Sequence, residues 1–339
     1  METNNIKCNR ILSYDYIRAL AIIFVILIHS MGWINEIKIL NSTYIVRTIL
    51  DSVIYSGVPL FVMLSGALLL GKKEPIRDFF SKRLKRIVIP FILWSILVYA
   101  ILYIQEGGRN PIEYLLSYVT KTLTSGVYGI YWYIYLILGL YIITPPLRKI
   151  CEDKKICLYT LVLIFIFYFI QKIFPAVQIC KYFDSGNFLY IAYFISGYAI
   201  SKYLPAYNKF RKISKLSLII VIILKISIVL LFATKLNTEY VFLINHIFII
   251  LISILIFSTL ISFKPNAESC INKSVIFISK VSYGIYLTHF MFISVFTKIP
   301  MMKSLPLVIE PFIMLLLVLM CEVLLMYIIN KTKFRDYLF

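Results

Sequence analysis

Ten apolar runs of membrane-spanning length constrain this sequence more than any other feature. Hydrophobic residues make up 61% of the 339 residues and charged residues only 15%, whereas soluble globular chains are about 45–50% apolar. A helix needs about 20 apolar residues to cross the hydrocarbon core of a bilayer. By that criterion the sequence predicts an all-α integral membrane protein, one polytopic domain over residues 1–339, with spans at 14–33, 48–70, 87–104, 128–146, 156–174, 188–204, 216–233, 241–263, 281–299 and 307–330.

The basic residues of the hydrophilic segments predict how these helices are oriented. The formal net charge is +19, but the charges lie in short loops between apolar runs, which argues against nucleic acid as a partner. Alternate loops hold 24 Lys and Arg residues, and the opposite set holds 9. Because positive residues concentrate on the cytoplasmic side of a bilayer, both termini are predicted to be cytoplasmic.

Ionisable residues inside apolar runs are the first candidates for function. The first span carries Asp15, Arg18 and His29, and each such group at the bilayer centre costs about 2.5–3.5 kcal/mol on insertion scales. Arg18 and His29 are eleven residues apart, so they fall within about 20° of one helix face and roughly 16 Å apart along the axis. Lys225 and Glu322 are further charges at membrane depth. Their spacing leaves open whether they pair with each other or with Asp15.

A basic segment at residues 71–86 presents two arginines on one side of a helix. Within GKKEPIRDFFSKRLKR, Arg83 and Arg86 are three residues apart, and Lys82 precedes them. Side chains at i and i+3 share a helix face, where two guanidiniums are able to hold a phosphate group through paired hydrogen bonds. The same charges also suit a positive anchor on anionic lipid, so both interpretations stay open.

Polar and aromatic side chains in two later segments are candidates for substrate contact. Segment 279–289 spaces Ser282, Tyr286 and His289 so that they fall on roughly one helical face. Trp132 and Tyr133 lie near the predicted outer interface, a position that is also typical of an aromatic belt.

Small residues in the second span favour close helix packing. The segment SGVPLFVMLSGALLLG at residues 56–71 contains three glycines, two serines and Pro59. Such residues permit close helix approach or a local kink in a membrane protein. Packing is therefore the predicted role for most of them.

Six motifs, in order along nearly the whole chain, resemble the integral-membrane acyltransferases of type 3. These enzymes transfer acyl groups from acyl-CoA to sugars and other surface acceptors. The motifs read DYIRALAIIFVILIH, SGVPLFVMLSG, FFSKRLKRIVIP, WYIYLILGLYIITP, YFISGY and VSYGIYLTH. The first signature usually reads Asp-Gly-Leu-Arg, and this chain departs from it with Tyr16 and Ile17 between Asp15 and Arg18.

The resemblance implies a catalytic assembly around Arg18 and His29, with Asp15 orienting Arg18. The donor is then expected to be acyl-CoA, with acetyl as the group moved, arriving from the cytoplasm. Its phosphates are expected to contact Arg83, Arg86 and Lys82. The substrate-binding residues implied by the matching motifs are Trp132, Tyr133, Ser282, Tyr286 and His289. No metal is expected; the expected partners are the lipid bilayer and a sugar, polysaccharide or lipid-linked acceptor at the cytoplasmic membrane of a bacterium.

The residues by themselves leave two other functions open. A polar-lined bundle of this size also suits a transporter or flippase of a lipid-linked sugar or small metabolite. Transport of substrate across vesicles without an acyl donor would favour that alternative. A non-catalytic membrane module that senses or transports a small amino acid is a further possibility.

Overall fold

The computed structural model describes residues 10–31, 42–105, 107, 110–124, 129–174, 185–204, 208–232, 238–263 and 270–338. Over these residues the protein is α-helical and has no strand, which confirms the all-α membrane class. Its helices are α1 (Leu12–Ser30), α2 (Ser42–Ile54), α3 (Gly57–Leu69), α4 (Ile76–Gln105), α5 (Pro111–Thr124), α6 (Trp132–Ile150), α7 (Lys154–Ile173), α8 (Ser185–Tyr203), α9 (Asn208–Phe232), α10 (Thr238–Ile261), α11 (Cys270–Phe296), α12 (Pro300–Lys303), α13 (Glu310–Asn330) and α14 (Arg335–Leu338).

Nine of the ten predicted spans correspond to segments in the described part of the chain that are long and apolar enough to cross a membrane. The sixth predicted span, 188–204, corresponds to α8 and is not one of the nine. This helix contains four tyrosines, and nearly all its side chains from Leu189 to Ile200 are buried among other helices. Because it is enclosed by protein, α8 needs no continuous apolar surface toward lipid.

Several boundaries differ from the predicted ones for local reasons. Helix α4 begins at Ile76 rather than at residue 87, so most of the basic segment is helical, with Phe79 buried and the charged side chains of this part exposed except that of Arg83. The second predicted span breaks at residues 55–56 between α2 and α3. Helix α5 lies between two predicted spans and was not expected from the apolar runs. Residues 32, 33, 128 and 233, at the ends of three predicted spans, lie outside the described residues.

The bundle is organised around α1 and around a close crossing of α3 with α8. Helix α1 packs against α2, α3, α10, α11 and α13. A Cβ atom added at Gly66 would lie 1.7 Å from the carbonyl oxygen of Phe194, and one added at Gly197 would lie 1.8 Å from that of Met63. The two backbones are therefore in direct contact, which confirms the packing role predicted for Gly66.

Candidate active site

Helix α1 holds two of its three predicted functional residues, Arg18 and His29, near opposite ends of the helix. Arg18 lies near the first turns of α1, and His29 lies in the last. The helix is surrounded by five others, so both side chains meet residues from distant parts of the sequence. The candidate site therefore consists of two half-sites, one at each end of α1.

His29 forms a pair with His289 of α11. The Nε2 atom of His289 lies 3.3 Å from Nδ1 of His29, and the two ring centroids are 5.1 Å apart. Nδ1 of His29 also lies 2.8 Å from the carbonyl oxygen of Val25, and Nδ1 of His289 lies 2.8 Å from that of Tyr286.

These contacts assign the protons of both rings. A carbonyl oxygen only accepts hydrogen bonds, so each Nδ1 carries a proton and donates it. The Nε2 atom of His289 is then the acceptor that faces His29. The Nε2 atom of His29 is left with a free lone pair, which is the state a general base requires.

An aromatic cavity of about 370 Å³ lies beside His29. Four of the predicted site residues line it together, and its wall also includes His246, which was not among the predicted site residues. The aromatic and histidine side chains of the lining are His29, Tyr55, Trp132, Tyr133, Tyr168, Tyr190, Tyr193, His246 and Tyr286. Flat apolar faces combined with a few polar groups are suited to a sugar ring.

The other residues predicted on α11 take different positions. His289 is fully buried behind His29. The hydroxyl of Tyr286 donates to the carbonyl oxygen of Ile130. Ser282 donates to the carbonyl oxygen of Ser279 in its own helix at 3.0 Å. Of the three predicted substrate contacts on this helix, only Tyr286 lies at the cavity wall.

The half-site near the first turns of α1 contains Asp15 and two arginines. Arg10 donates to both oxygens of Asp15 at 2.6 and 2.8 Å, whereas Arg18 is 3.9 Å away. Ser279 links the groups, since it accepts from Arg18 at 3.0 Å and donates to Asp15 at 2.6 Å. The hydrogen bond to Asp15 raises the pKa of Arg10, which keeps it charged. Arg10, which opens the first-helix motif, and Ser279 were not predicted as partners of Asp15, because spacing within α1 does not reveal partners outside it.

The predicted phosphate-binding arginines are in different environments. Arg83 donates to Glu74 at 3.0 and 2.8 Å, and Arg148 of α6 donates to the same carboxylate at 3.0 Å. The guanidinium carbon of Arg83 lies 4.5 Å from the ring centre of Phe79, and that of Arg148 lies 4.6 Å from it. Although partial burial acts to raise the pKa of Glu74, the two arginines outweigh it and lower that pKa. Arg83 thus belongs to a structural ion-pair network with Glu74 and Arg148.

Arg86 and Lys82 are exposed on the same helix. Arg86 lies close enough to Arg18 for their positive charges to repel each other. The charges of Arg18, Arg83 and Arg86 also act electrostatically on the hydroxyl of Tyr141. The charges of all three arginines therefore reach one tyrosine. Arg18 also acts electrostatically on Tyr133, which lines the aromatic cavity.

Lys225 and Glu322 have partners other than those considered from the sequence. The hydroxyl of Thr288 lies 2.8 Å from both oxygens of the fully buried Glu322. Lys225 interacts electrostatically with Asp51 of α2. Among the described residues, no group of three or more His, Cys, Asp or Glu side chains is placed to hold a metal ion.

These features define a multi-pass membrane protein with a polar site buried inside its helix bundle. The sequence model of a family described as an acyltransferase domain matches residues 11–331, so the chain belongs to that acyltransferase family. The resemblance to the type 3 membrane acyltransferases is thereby confirmed, as is the assignment of the protein as an acyltransferase. No curated protein and no solved structure matches the chain significantly.

Proposed function

We propose that the protein transfers an acyl group, acetyl by preference, from cytoplasmic acyl-CoA to a hydroxyl of a cell-envelope sugar or polysaccharide at the bacterial plasma membrane. The observation that carries this proposal is the position and protonation of the His29 ring. It lines an aromatic cavity, and its contacts leave Nε2 free to accept a proton. Acyl transfer to a hydroxyl needs such a base.

The positive charges of Arg18 and Arg86, which lie close enough to repel each other, support a CoA donor. Arg18 and Arg86 are permanent cations that suit phosphate groups, and exposed Lys82 adds to the positive charge. Because Arg83 is bound by Glu74, its role in this proposal is to orient the helix that presents Arg86. Glu74 and Arg148 then act through Arg83 as positioning residues.

The length of α1 supports the same arrangement. The helix rises by roughly 16 Å between Arg18 and His29. An extended pantetheine arm spans a similar distance, roughly 15 Å from ordinary bond lengths. With its diphosphate at the cluster, the donor would present its thioester near His29.

The proposed reaction is a direct transfer in which His29 accepts and returns one proton. Nε2 of His29 takes the proton of the acceptor hydroxyl as the oxygen attacks the thioester carbonyl carbon. Collapse of the tetrahedral intermediate forms the ester and breaks the carbon–sulfur bond, and the proton passes from His29 to the departing thiolate. During the step the imidazolium donates its Nδ1–H toward Val25 and His289, so His289 acts as a positioning residue.

The test compares His29→Gln, which removes the base, with Ser30→Ala in the next position. Ser30 is buried and, among the described residues, donates to the carbonyl oxygen of Ile26 in its own helix at 2.9 Å, so its loss tests for general disturbance of α1. Membranes receive radiolabelled acetyl-CoA, and base-labile label in envelope glycans is counted. Mass spectrometry of glycans from cells with and without the gene identifies the ester.

We expect His29→Gln to lower transfer by about 10²–10⁴-fold, with unchanged abundance in the membrane, and Ser30→Ala to retain it. Ester formation by His29→Gln at the level of the Ser30 variant would contradict the role of His29. Sugar crossing vesicles with no acyl donor present would favour the transporter instead.

A further inference from the structure

A fully buried carboxyl group lies in the membrane-spanning helix α13, and the proposed reaction does not use it. The side chain of Glu322 is 0% exposed, and among the described residues it contacts the hydroxyl of Thr288, which lies 2.8 Å from both carboxyl oxygens. We propose that Glu322 is a neutral carboxylic acid that donates a hydrogen bond to Thr288 and thereby positions His289 behind His29. This inference rests on the proposed acyltransferase function and adds a positioning residue to its site.

The number of available protons assigns the charge of Glu322. Oγ1 of Thr288 lies 2.9 Å from the carbonyl oxygen of Gly284, in addition to its two contacts with Glu322. Carbonyl and carboxylate oxygens only accept hydrogen bonds, and a hydroxyl has one proton to donate. An ionised Glu322 would therefore leave three oxygens competing for a single proton. A protonated Glu322 donates to Thr288, and the hydroxyl then donates to Gly284, so that each proton has one acceptor.

The surroundings of Glu322 favour the same protonation state. In the described part of the chain, none of the ion pairs includes it. Helix α13 packs against α1, α11 and α14; the contacts of His29 and His289 on the first two assign neutral rings, and Lys280 of α11 donates to Asn330 at 2.8 Å. A buried carboxyl group without a cationic partner takes up a proton, because an isolated carboxylate is costly to remove from water.

The turn of α11 that presents His289 is held from two sides. The fully buried Tyr131 donates to the carbonyl oxygen of Leu287 at 2.9 Å, and Glu322 of α13 holds the residue that follows. His289 comes next, and its Nε2 atom lies 3.3 Å from Nδ1 of His29. A displacement of this turn therefore moves His289 relative to the proposed base.

The neutral form of Glu322 also preserves the hydrogen bond between the two histidines. A carboxylate beside this turn would favour a second proton on His289, because a negative charge stabilises the imidazolium. The Nε2 atom of His289 would then be a donor and would no longer accept from Nδ1 of His29. An uncharged donor at position 322 holds the turn without changing the protonation of the histidine pair.

The first test measures the charge of Glu322. Infrared spectra of the purified protein at neutral pH, in a detergent without ester groups, are compared for the wild type and Glu322→Gln. We expect the wild type to show the carbonyl band of a protonated carboxyl group, shifted to lower frequency in heavy water, and the variant to lack it. The band should persist in Glu310→Gln, which removes a carboxyl group from the first turn of the same helix. A carboxylate band lost in its place from Glu322→Gln would overturn the inference.

The second test measures whether Glu322 positions His289. The chain has three histidines, so nuclear magnetic resonance of protein with isotope-labelled histidine gives few ring signals, which single histidine-to-glutamine variants assign. We expect the His289 signals to shift in Glu322→Leu and Thr288→Val and to stay in place in Glu322→Gln, which keeps an uncharged donor. Thr144→Val is the matched control, because Thr144 is also fully buried and donates to the carbonyl oxygen of Leu140 in its own helix at 2.7 Å.

Steady-state kinetics then measures the effect on acyl transfer. We expect Glu322→Leu and Thr288→Val to lower kcat by about tenfold, the worth of one buried hydrogen bond, with the KM for acetyl-CoA little changed. Glu322→Gln should restore most of that loss. If Glu322→Leu is not recovered from the membrane, Thr288→Val removes the same hydrogen bond and decides the question.

The outcomes separate this inference from the proposed function. His289 signals that do not move in Thr288→Val, or a Glu322→Gln variant as impaired as Glu322→Leu, overturn the role of Glu322 while leaving acyl transfer intact. A purified wild type without acyl transfer contradicts the proposed function. The infrared and resonance experiments need no substrate, and they then still decide whether Glu322 is neutral and positions His289.

Discussion

Replacing Gly197 with alanine tests whether the crossing of α3 and α8 sets the shape of the site. The added Cβ would lie 1.8 Å from the carbonyl oxygen of Met63, 2.4 Å from its carbonyl carbon and 2.6 Å from its Cα. Ordinary carbon–oxygen contacts of this kind are about 3.3–3.6 Å, so the helices must separate by roughly 1.5 Å. Overpacking usually costs about 1–3 kcal/mol. Because backbone rather than a flexible side chain must move here, we expect about 3 kcal/mol.

The separation should also reach the aromatic cavity. Helix α3 contributes Val58 and Pro59 to its lining, and α8 contributes Leu189, Tyr190 and Tyr193. Moving these walls apart loosens the contacts that would hold a sugar ring. We therefore expect Gly197→Ala to raise the KM for the acceptor as well as to lower stability.

The matched control is Gly139→Ala in α6. Among the described residues, no neighbouring heavy atom lies within 4 Å of a Cβ added at Gly139, and alanine is favoured over glycine in a helix by about 1 kcal/mol. Thermal unfolding of both variants in nanodiscs is the assay. If Gly197→Ala melts as high as Gly139→Ala, the backbone contact inferred at this crossing is wrong.

Two further predictions concern groups on either side of the site. His289→Gln should lower kcat by about tenfold or more, with the KM for acetyl-CoA little changed, because it removes a positioning partner of His29; steady-state kinetics with both substrates measures this split. Glu74→Gln should destabilise the protein at neutral pH by about 1–2 kcal/mol. The folded-state pKa of Glu74 is below its usual 4.5. The stability that the Glu74 carboxylate contributes is therefore fully present above pH 4.5 and is lost as the pH falls through the folded-state pKa. The melting temperatures of the wild type and Glu74→Gln should then converge at acidic pH.

Some properties of this protein follow from the sequence alone. Apolar runs determine which segments enter a bilayer, because transfer free energy accumulates locally along the chain. This is why nine of the predicted spans correspond to apolar helices of the required length, and why motif order indicated the family. Helical periodicity likewise placed Arg18 and His29 on one face of α1 without knowledge of any other helix.

Other properties required the tertiary structure. The contact between His29 and His289 joins residues 260 positions apart. Glu74 pairs with Arg83 of α4 and with Arg148 of α6, and so links these two helices. Periodicity identifies the polar face of a helix but not the helix that packs against it, because lateral packing depends on the shapes of both surfaces. The proton assignment of His29 and the partners of Asp15 were therefore decided only when the helices came together.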